Sequence, residues 1–142
     1  MVKTKSQFSA GGVVCRKTGG LSEIILLIRG NGKIFCLPKG KIERLEASRE
    51  AALREVKEEA GVNGAIKEDL GNIDYWFYSE EESARVHKTV FFFLIMYESG
   101  DIKDHDSDAE EVVWLPLKEA LRVMTYPSER EIVGKAEKLL PR

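Results

Sequence analysis

The sequence predicts an α/β (α+β) domain of three layers, in which a mixed central sheet lies between helices. Three observations predict this fold: aliphatic runs of strand length in both halves of the chain, a central segment with helical spacing of its apolar residues, and two helical segments near the C-terminal end. The 142 residues are enough to bury a core, so we expect residues 1–142 to form one domain.

The N-terminal third of the chain consists of predicted strands joined by turns. Aliphatic and β-branched residues fill Phe8–Arg16 and Glu23–Arg29, and Thr18-Gly19-Gly20 predicts a hairpin turn between these two runs. Asn31-Gly32 predicts a second turn, which leads into the short apolar stretch Lys33–Leu37. These segments supply the first strands of the sheet.

One long helix then interrupts the strands. The segment Glu46–Ala60 contains no Pro or Gly, and Gly61 predicts its end. Its apolar residues recur at helical spacing and comprise Ala51, Ala52, Val56 and Ala60.

The C-terminal half is predicted to return to strands and to end in helices. Leu117–Met124 has a helical pattern, and a final helix follows Pro127, with Ser128 and Glu131 at the spacing of a capping box. The predicted strands are Ala65–Leu70, Ile73–Tyr78, Arg85–Glu98 and Glu110–Leu115.

Composition excludes several classes of function. The 22 basic and 24 acidic residues give a net charge of −2, so we expect no binding to long nucleic acid. The longest apolar run, Val90–Met96, is far shorter than a membrane span, and the polar Ser6-Gln7 argues against an export signal. Two cysteines outside any C-x-x-C pair, Cys15 and Cys36, predict buried reduced thiols in a cytoplasmic protein.

The predicted central helix concentrates negative charge. Glu55 lies three residues before Glu58 and four before Glu59, so the three carboxylates converge on one side of a helix and repel each other. Arg54 neutralises part of this charge, and a divalent cation would neutralise the rest, because Mg²⁺ and Mn²⁺ prefer carboxylate oxygens. On composition alone, a solvated helix face with ion pairs is the simpler interpretation.

The spacing over Gly40–Val62 favours the metal site. These residues read GKIERLEASREAALREVKEEAGV, and they resemble the Nudix box, G-x5-E-x7-R-E-U-x-E-E-x-G-U, in which U is a bulky aliphatic residue. The order of the surrounding strands also resembles the Nudix fold. One departure is Leu45, where many members carry Gly, which puts the local turn shape in question. The matching positions are Gly40, Glu46, Arg54, Glu55, Val56, Glu58, Glu59, Gly61 and Val62.

The resemblance implies a hydrolase that cuts a pyrophosphate bond with Mg²⁺ or Mn²⁺. By the family pattern, Glu58 and Glu59 are metal ligands, and Glu55 is a ligand or the general base. Arg54 orients the carboxylates through ion pairs, and Glu46 is the expected partner. Gly40 brings the loop backbone close to the metal and can offer its carbonyl. Which glutamate acts as the base stays open, as does a further acidic ligand among Asp108, Glu110 and Glu111.

Several residues outside the box are predicted to contact the substrate. Pro38-Lys39-Gly40 resembles both diadenosine polyphosphate and diphosphoinositol polyphosphate hydrolases, and Lys39 is a candidate phosphate contact. His87-Lys88-Thr89-Val90 resembles the diadenosine polyphosphate hydrolases, which makes Lys88 a second candidate and His87 a weaker one. The alternatives are a solvated loop lysine and an edge-strand lysine that guards against aggregation. Tyr126, which precedes Pro127, is predicted to stack on adenine, the alternative being core packing between the last two helices.

Two further segments have simpler interpretations. Tyr75, Trp76 and Tyr78 alternate along one strand, so we expect one of its faces to be core and the other to line the substrate cleft. Gly100–Asp108 contains Asp104-x-Asp106-x-Asp108 but lacks the Gly and Glu of a calcium-binding EF-hand. We expect this segment to be an acidic surface loop.

The resemblance as a whole implies hydrolysis of a small-molecule nucleotide substrate. We expect diadenosine polyphosphates, such as the tetraphosphate or hexaphosphate, with ATP as one product. Diphosphoinositol polyphosphates, nucleoside triphosphates and the 5′ triphosphate end of RNA remain alternatives. A nucleotide-binding module without activity is disfavoured, since such modules usually lose motif glutamates. The sequence does not predict an oligomeric state.

Overall fold

The computed structural model describes residues 2–141. These residues form seven strands, which make one mixed sheet, and three α-helices. None of the helices in this range is long and apolar enough to cross a membrane. The strands are β1 (Lys3–Thr18), β2 (Leu21–Arg29), β3 (Ile34–Cys36), β4 (Lys39–Lys41), β5 (Val62–Ser79), β6 (Ala84–Gly100) and β7 (Glu111–Pro116). The helices are α1 (Ser48–Ala60), α2 (Leu117–Val123) and α3 (Pro127–Leu139), with a 3₁₀ turn at Ile102–Asp104.

The sheet follows the order β3-β2-β1-β6-β5, while β4 pairs with β1 and β7 pairs with β2. Its central pair, β1 and β6, is parallel from Lys3↔Ala84 to Cys15↔Met96. Every other strand pair in residues 2–141 is antiparallel. The predicted mixed sheet is therefore confirmed.

Alternation along β1 divides the core into two layers. Val13 and Cys15 belong to a cluster that includes residues of α2 and α3. Ala10 and Val14 belong to the cluster on the α1 side. We call these two sides of the sheet the α3 face and the α1 face. Helices on both faces confirm the three-layer architecture, and Cys15 and Cys36 are buried free thiols, as predicted.

Several strands differ from their predicted bounds. β1 begins at Lys3 because its polar start pairs with β6 through the backbone and needs no apolar side chains. β5 is one strand instead of two, with irregular register where Gly71 adopts a φ of 87°. The three-residue strand β4 was not predicted, since Lys39–Lys41 is short and polar.

The ends of two helices also differ from the prediction. α1 begins at Ser48, with Ala47 as its N-cap, instead of at Glu46. The predicted capping box of the last helix is wrong, because α3 already begins at Pro127 and its N-cap, Tyr126, makes no side-chain capping bond. Proline suits the first helical position because its missing N–H would be unpaired there.

Candidate active site

Arg54 organises the carboxylates of the acidic helix. Its Nε lies 2.7 Å from Glu46 Oε2, which confirms the predicted ion pair. Its Nη1 donates to Glu55 Oε1 at 2.7 Å and lies 3.2 Å from Glu58 Oε2. A single guanidinium therefore holds three carboxylates, because its planar fork presents several donors in fixed directions.

These contacts have opposite effects on two of the carboxyl groups. The hydrogen bond from Arg54 lowers the pKa of Glu46 to about 2. Glu55 is only 7% exposed, and burial raises its pKa although Arg54 opposes the shift. A buried carboxylate beside other carboxylates gains from any additional positive charge, which is the condition under which a cation binds.

Gly40 lets the β4 backbone approach the acidic helix closely. It pairs with Ala10 across the β1–β4 ladder, and a Cβ there would clash with the carboxylate of Glu55. The β4 backbone therefore lies directly against the acidic helix. The nearby departure at Leu45 also has a structural consequence: Leu45 is 95% exposed and adopts a φ of 66°, a conformation that favours glycine.

The predicted metal ligands are held by arginines in this structure. Glu58 bonds to Arg54, and Glu59 Oε2 lies 3.0 Å from Arg29 Nη2. Within residues 2–141, no three His, Cys, Asp or Glu side chains are arranged as a metal site. The donor set still suits Mg²⁺ or Mn²⁺, since these carboxylates offer hard oxygens next to the closely approaching backbone of Gly40. A bound divalent cation would be held by Glu55, Glu58, Glu59 and the Gly40 carbonyl.

The three candidates for a further acidic ligand have different environments. Asp108 is exposed, and its charge contributes to the raised pKa of Glu59, although burial of Glu59 is the main cause. Glu110 Oε1 accepts a hydrogen bond from the Asn31 N–H at 2.6 Å, so it holds the turn after β2. Glu111 is an exposed residue at the start of β7. Asp108 is therefore the best placed of the three.

A lysine cluster, comprising Lys39, Lys41 and Lys88, lies on the α3 face. Lys39 pairs with Gly11 and Lys41 pairs with Ser9, while Lys88 pairs with Gln7 from the other side of β1. Burial lowers the pKa of Lys88, and the charges of Lys39 and Lys41 lower it further. In the part of the chain that the structure describes, neither Lys41 nor Lys88 makes an ion pair.

Glu129 is a buried carboxylate that the sequence analysis missed. It is 2% exposed, its Oε1 accepts a hydrogen bond from the Leu37 N–H at 2.9 Å, and its Oε2 lies 3.4 Å from Lys39 Nζ. Lys39 thus has an internal counter-ion, and Glu129 ties α3 to the segment before Gly40. Helical spacing could have revealed it, because Glu129 shares a face with the buried Ile132, Val133 and Ala136.

Two exposed tyrosines flank the lysine cluster. Tyr126 is 42% exposed at the start of α3, one turn before Glu129, so it is not a core residue. Tyr75 pairs with Lys88 on the α3 face and is close enough to Lys39 to influence its pKa. These residues supply aromatic rings beside the cations, as a nucleotide site requires.

The other aromatic residues of β5 point elsewhere. His87 pairs with Trp76 on the opposite face of the sheet from Lys88. The two rings stack with their centroids 4.8 Å apart, and His87 Nε2 lies 3.4 Å from Asp74 Oδ1. The structure therefore does not bring His87 together with the lysine cluster. The expectation that one face of this strand is core is wrong, since Tyr75, Trp76 and Tyr78 are all exposed. β5 is an edge strand, and this part of it extends beyond the helices.

Known proteins resemble this chain in sequence. The family model described as "NUDIX domain" matches residues 5–135. A Mycobacterium tuberculosis protein designated MutT4 is 35% identical over 145 residues, which cover 98% of this chain and 58% of that relative. The 8-oxo-(d)GTP phosphatase of Mycolicibacterium smegmatis is 28% identical over 111 residues, covering 78% of this chain and 32% of that protein. The chain thus spans less than two thirds of the length of each of these curated relatives.

A solved structure is similar over its whole length. The crystal structure of an Ap4A hydrolase from C. elegans has a TM-score of 0.70 and 25% sequence identity, covering 99% of this chain and 100% of that one. The fold of this chain therefore occurs in a solved structure of a known hydrolase.

Proposed function

The chain belongs to the NUDIX domain family, and we propose that it is a pyrophosphohydrolase that uses Mg²⁺ or Mn²⁺ and cleaves diadenosine polyphosphates with release of ATP. The observation that carries the proposal is the lysine cluster next to the Arg54-held carboxylates. Gly40, which lies between Lys39 and Lys41 in β4, is directly against the Glu55 carboxylate, so the strand that carries two of the lysines borders the acidic helix. A polyphosphate chain supplies the negative charge that Lys41 and Lys88 lack.

The residues of the chain have distinct roles in this proposal. When bound, the divalent ion would offset phosphate charge and lower the pKa of a water molecule. Arg54 fixes the carboxylates of Glu55 and Glu58 so that they converge on that ion. The lysine cluster orients the phosphate chain, and positioning of this kind supplies much of the barrier reduction in phosphoryl transfer.

A nucleoside triphosphate is the second candidate substrate. The relative named 8-oxo-(d)GTP phosphatase favours it, whereas the similarity to the Ap4A hydrolase structure favours the dinucleotide. Two observations support the dinucleotide: three lysines extend along the sheet, and exposed tyrosines lie at their border. A triphosphate would leave part of this surface without a ligand.

Replacing Lys88 should separate these substrates. We expect Lys88→Ala to raise KM more for diadenosine hexaphosphate than for diadenosine diphosphate, because only a long chain reaches every lysine. Loss of one charge-assisted contact costs roughly 1.5–3 kcal/mol, which corresponds to about a 10- to 150-fold change in KM. Steady-state kinetics across chain lengths measures this difference.

The matched control is Lys118→Ala, which removes an exposed lysine on α2, outside the lysine cluster. It should leave KM unchanged for every substrate. An equal rise in KM at all chain lengths for Lys88→Ala would show that Lys88 stabilises the strand instead of contacting phosphates. A strong preference of the wild-type protein for nucleoside triphosphates would favour the second candidate.

A further inference from the structure

We propose that a second cleft, beside the start of β1, binds the other nucleoside of a dinucleoside polyphosphate; this inference rests on the proposed function. The cleft has a volume of about 430 Å³, within the range of small-molecule sites. We call it the β1 cleft. The residues that matter here are Lys5, Phe8, Lys41, Arg44 and Glu82, all of which line it.

The β1 cleft and the carboxylate centre share a wall. Arg54 Nη2 donates to the Lys41 carbonyl at 2.8 Å, and Arg54 Nη1 lies 3.6 Å from Glu43 Oε1. The next residue, Ile42, donates its N–H to the Phe8 carbonyl at 3.0 Å. Residues 41–43 therefore have Arg54 on one side and Phe8 on the other, so one ligand can contact both sites.

Phe8 gives the β1 cleft an aromatic surface. Phe8 is 50% exposed, although residues 9–15 of the same strand are buried. Lys41 and Arg44 line the same cleft, and within residues 2–141 neither of them makes an ion pair. A ring beside unpaired cations is the combination that binds a nucleotide, through stacking on the base and attraction to the phosphate.

Glu82 supplies an unused hydrogen-bond acceptor. Its Oε2 is buried and has no hydrogen-bond partner among the described residues, while its Oε1 lies 3.9 Å from Lys5 Nζ. A buried acceptor without a donor is unfavourable, and a donor on a ligand would relieve this cost. The exocyclic amino group of adenine is such a donor, once the Glu82 side chain rotates its Oε2 into the cleft that it lines.

Lys41 connects the two ends of the ligand. It belongs to the lysine cluster through its pairing with Ser9, and it also lines the β1 cleft. Phe8 alternates with Ser9 and so lies on the α1 face with Ala10, whereas the lysines lie on the α3 face. A dinucleotide would place one nucleoside near Tyr75 and Tyr126 and its phosphates along the lysines. It would then pass around the end of β4 at Lys41 to place the other nucleoside against Phe8. A mononucleotide has only one nucleoside and does not need the β1 cleft.

Equilibrium binding without turnover tests this inference. Calorimetry in excess chelator would compare diadenosine tetraphosphate with adenosine 5′-tetraphosphate on the wild-type protein and on Phe8→Ala. We expect Phe8→Ala to weaken dinucleotide binding about tenfold, equivalent to about 1.4 kcal/mol. Binding of the mononucleotide should stay within about twofold of wild type. Phe8→Leu, which keeps an apolar side chain, should behave like Phe8→Ala, and Phe8→Tyr like wild type.

Leu21→Ala is the matched control, since Leu21 is an exposed apolar residue in the turn region after β1. It should change neither affinity. The inference would be overturned if Phe8→Ala weakened the binding of both ligands equally. It would also be overturned if Phe8→Leu bound the dinucleotide normally, or if the wild-type protein did not bind the dinucleotide. A protein that binds the dinucleotide through Phe8 but hydrolyses nothing with Mg²⁺ would refute the proposed function alone.

Discussion

Glu58→Gln and Glu59→Gln should each lower kcat by about 10²–10⁴, the range for loss of a positioned charge or base. The Glu58 side chain is exposed and, among the described residues, bonds only to Arg54, while the Glu59 side chain contacts Arg29. Neither carboxylate packs in the core, so its loss affects charge more than structure. Steady-state kinetics with Mg²⁺ and a saturating dinucleotide measures the change.

Both variants should remain folded. Replacing one carboxylate relieves repulsion within the acidic helix, and the amide oxygen in Glu59→Gln can still accept a hydrogen bond from Arg29. Glu131→Gln, an equivalent change at an exposed position of α3, is the control and should retain wild-type kcat. A folded Glu58 or Glu59 variant with near-normal kcat would remove that residue from the site.

Tyr126→Ala should raise KM for an adenine dinucleotide by roughly 5- to 150-fold, because stacking is worth about 1–3 kcal/mol per base. The ring is 42% exposed at the start of α3, and the same helix carries Glu129, which contacts Lys39. A base stacked there would place its phosphates toward the lysine cluster. KM and melting temperature should be measured on the same samples.

Tyr126→Phe distinguishes stacking from hydrogen bonding. It should keep the wild-type KM, since stacking needs the ring and not the hydroxyl group. If Tyr126→Ala instead lowers the melting temperature and leaves KM unchanged, Tyr126 has a structural role. The adenine platform would then be Tyr75, which lies on the α3 face with Lys88.

The parts of the site that were predictable from sequence are those set by local spacing. Arg54 and Glu55 are neighbours on one helix, and Glu46 precedes the same helix, so their contacts follow from position alone. Gly40 was predicted to bring the backbone close to the metal, and it lies directly against Glu55. The departure at Leu45 correctly marked an unusual turn, as its positive φ shows.

Features that depend on long-range packing were not predictable in this way. Lys39 meets Glu129 across 90 residues of sequence, and Lys41 joins the lysine cluster only through the pairing of β4 with β1. The β1 cleft likewise forms only when the turn between β5 and β6 brings Glu82 to the start of β1. The exposure of Trp76 and Tyr78 depends on how far the helices cover β5, and strand alternation does not determine that coverage.

Product analysis of diadenosine tetraphosphate hydrolysis tests the central claim most directly. The purified chain would be incubated with the dinucleotide and Mg²⁺, with and without excess chelator, and the products separated by chromatography. We predict ATP and AMP in the presence of Mg²⁺ and no products in chelator, because the carboxylate cluster needs a cation to act on phosphate. Full turnover in chelator, or no cleavage of any phosphoanhydride with either Mg²⁺ or Mn²⁺, would contradict the proposed metal-dependent hydrolysis.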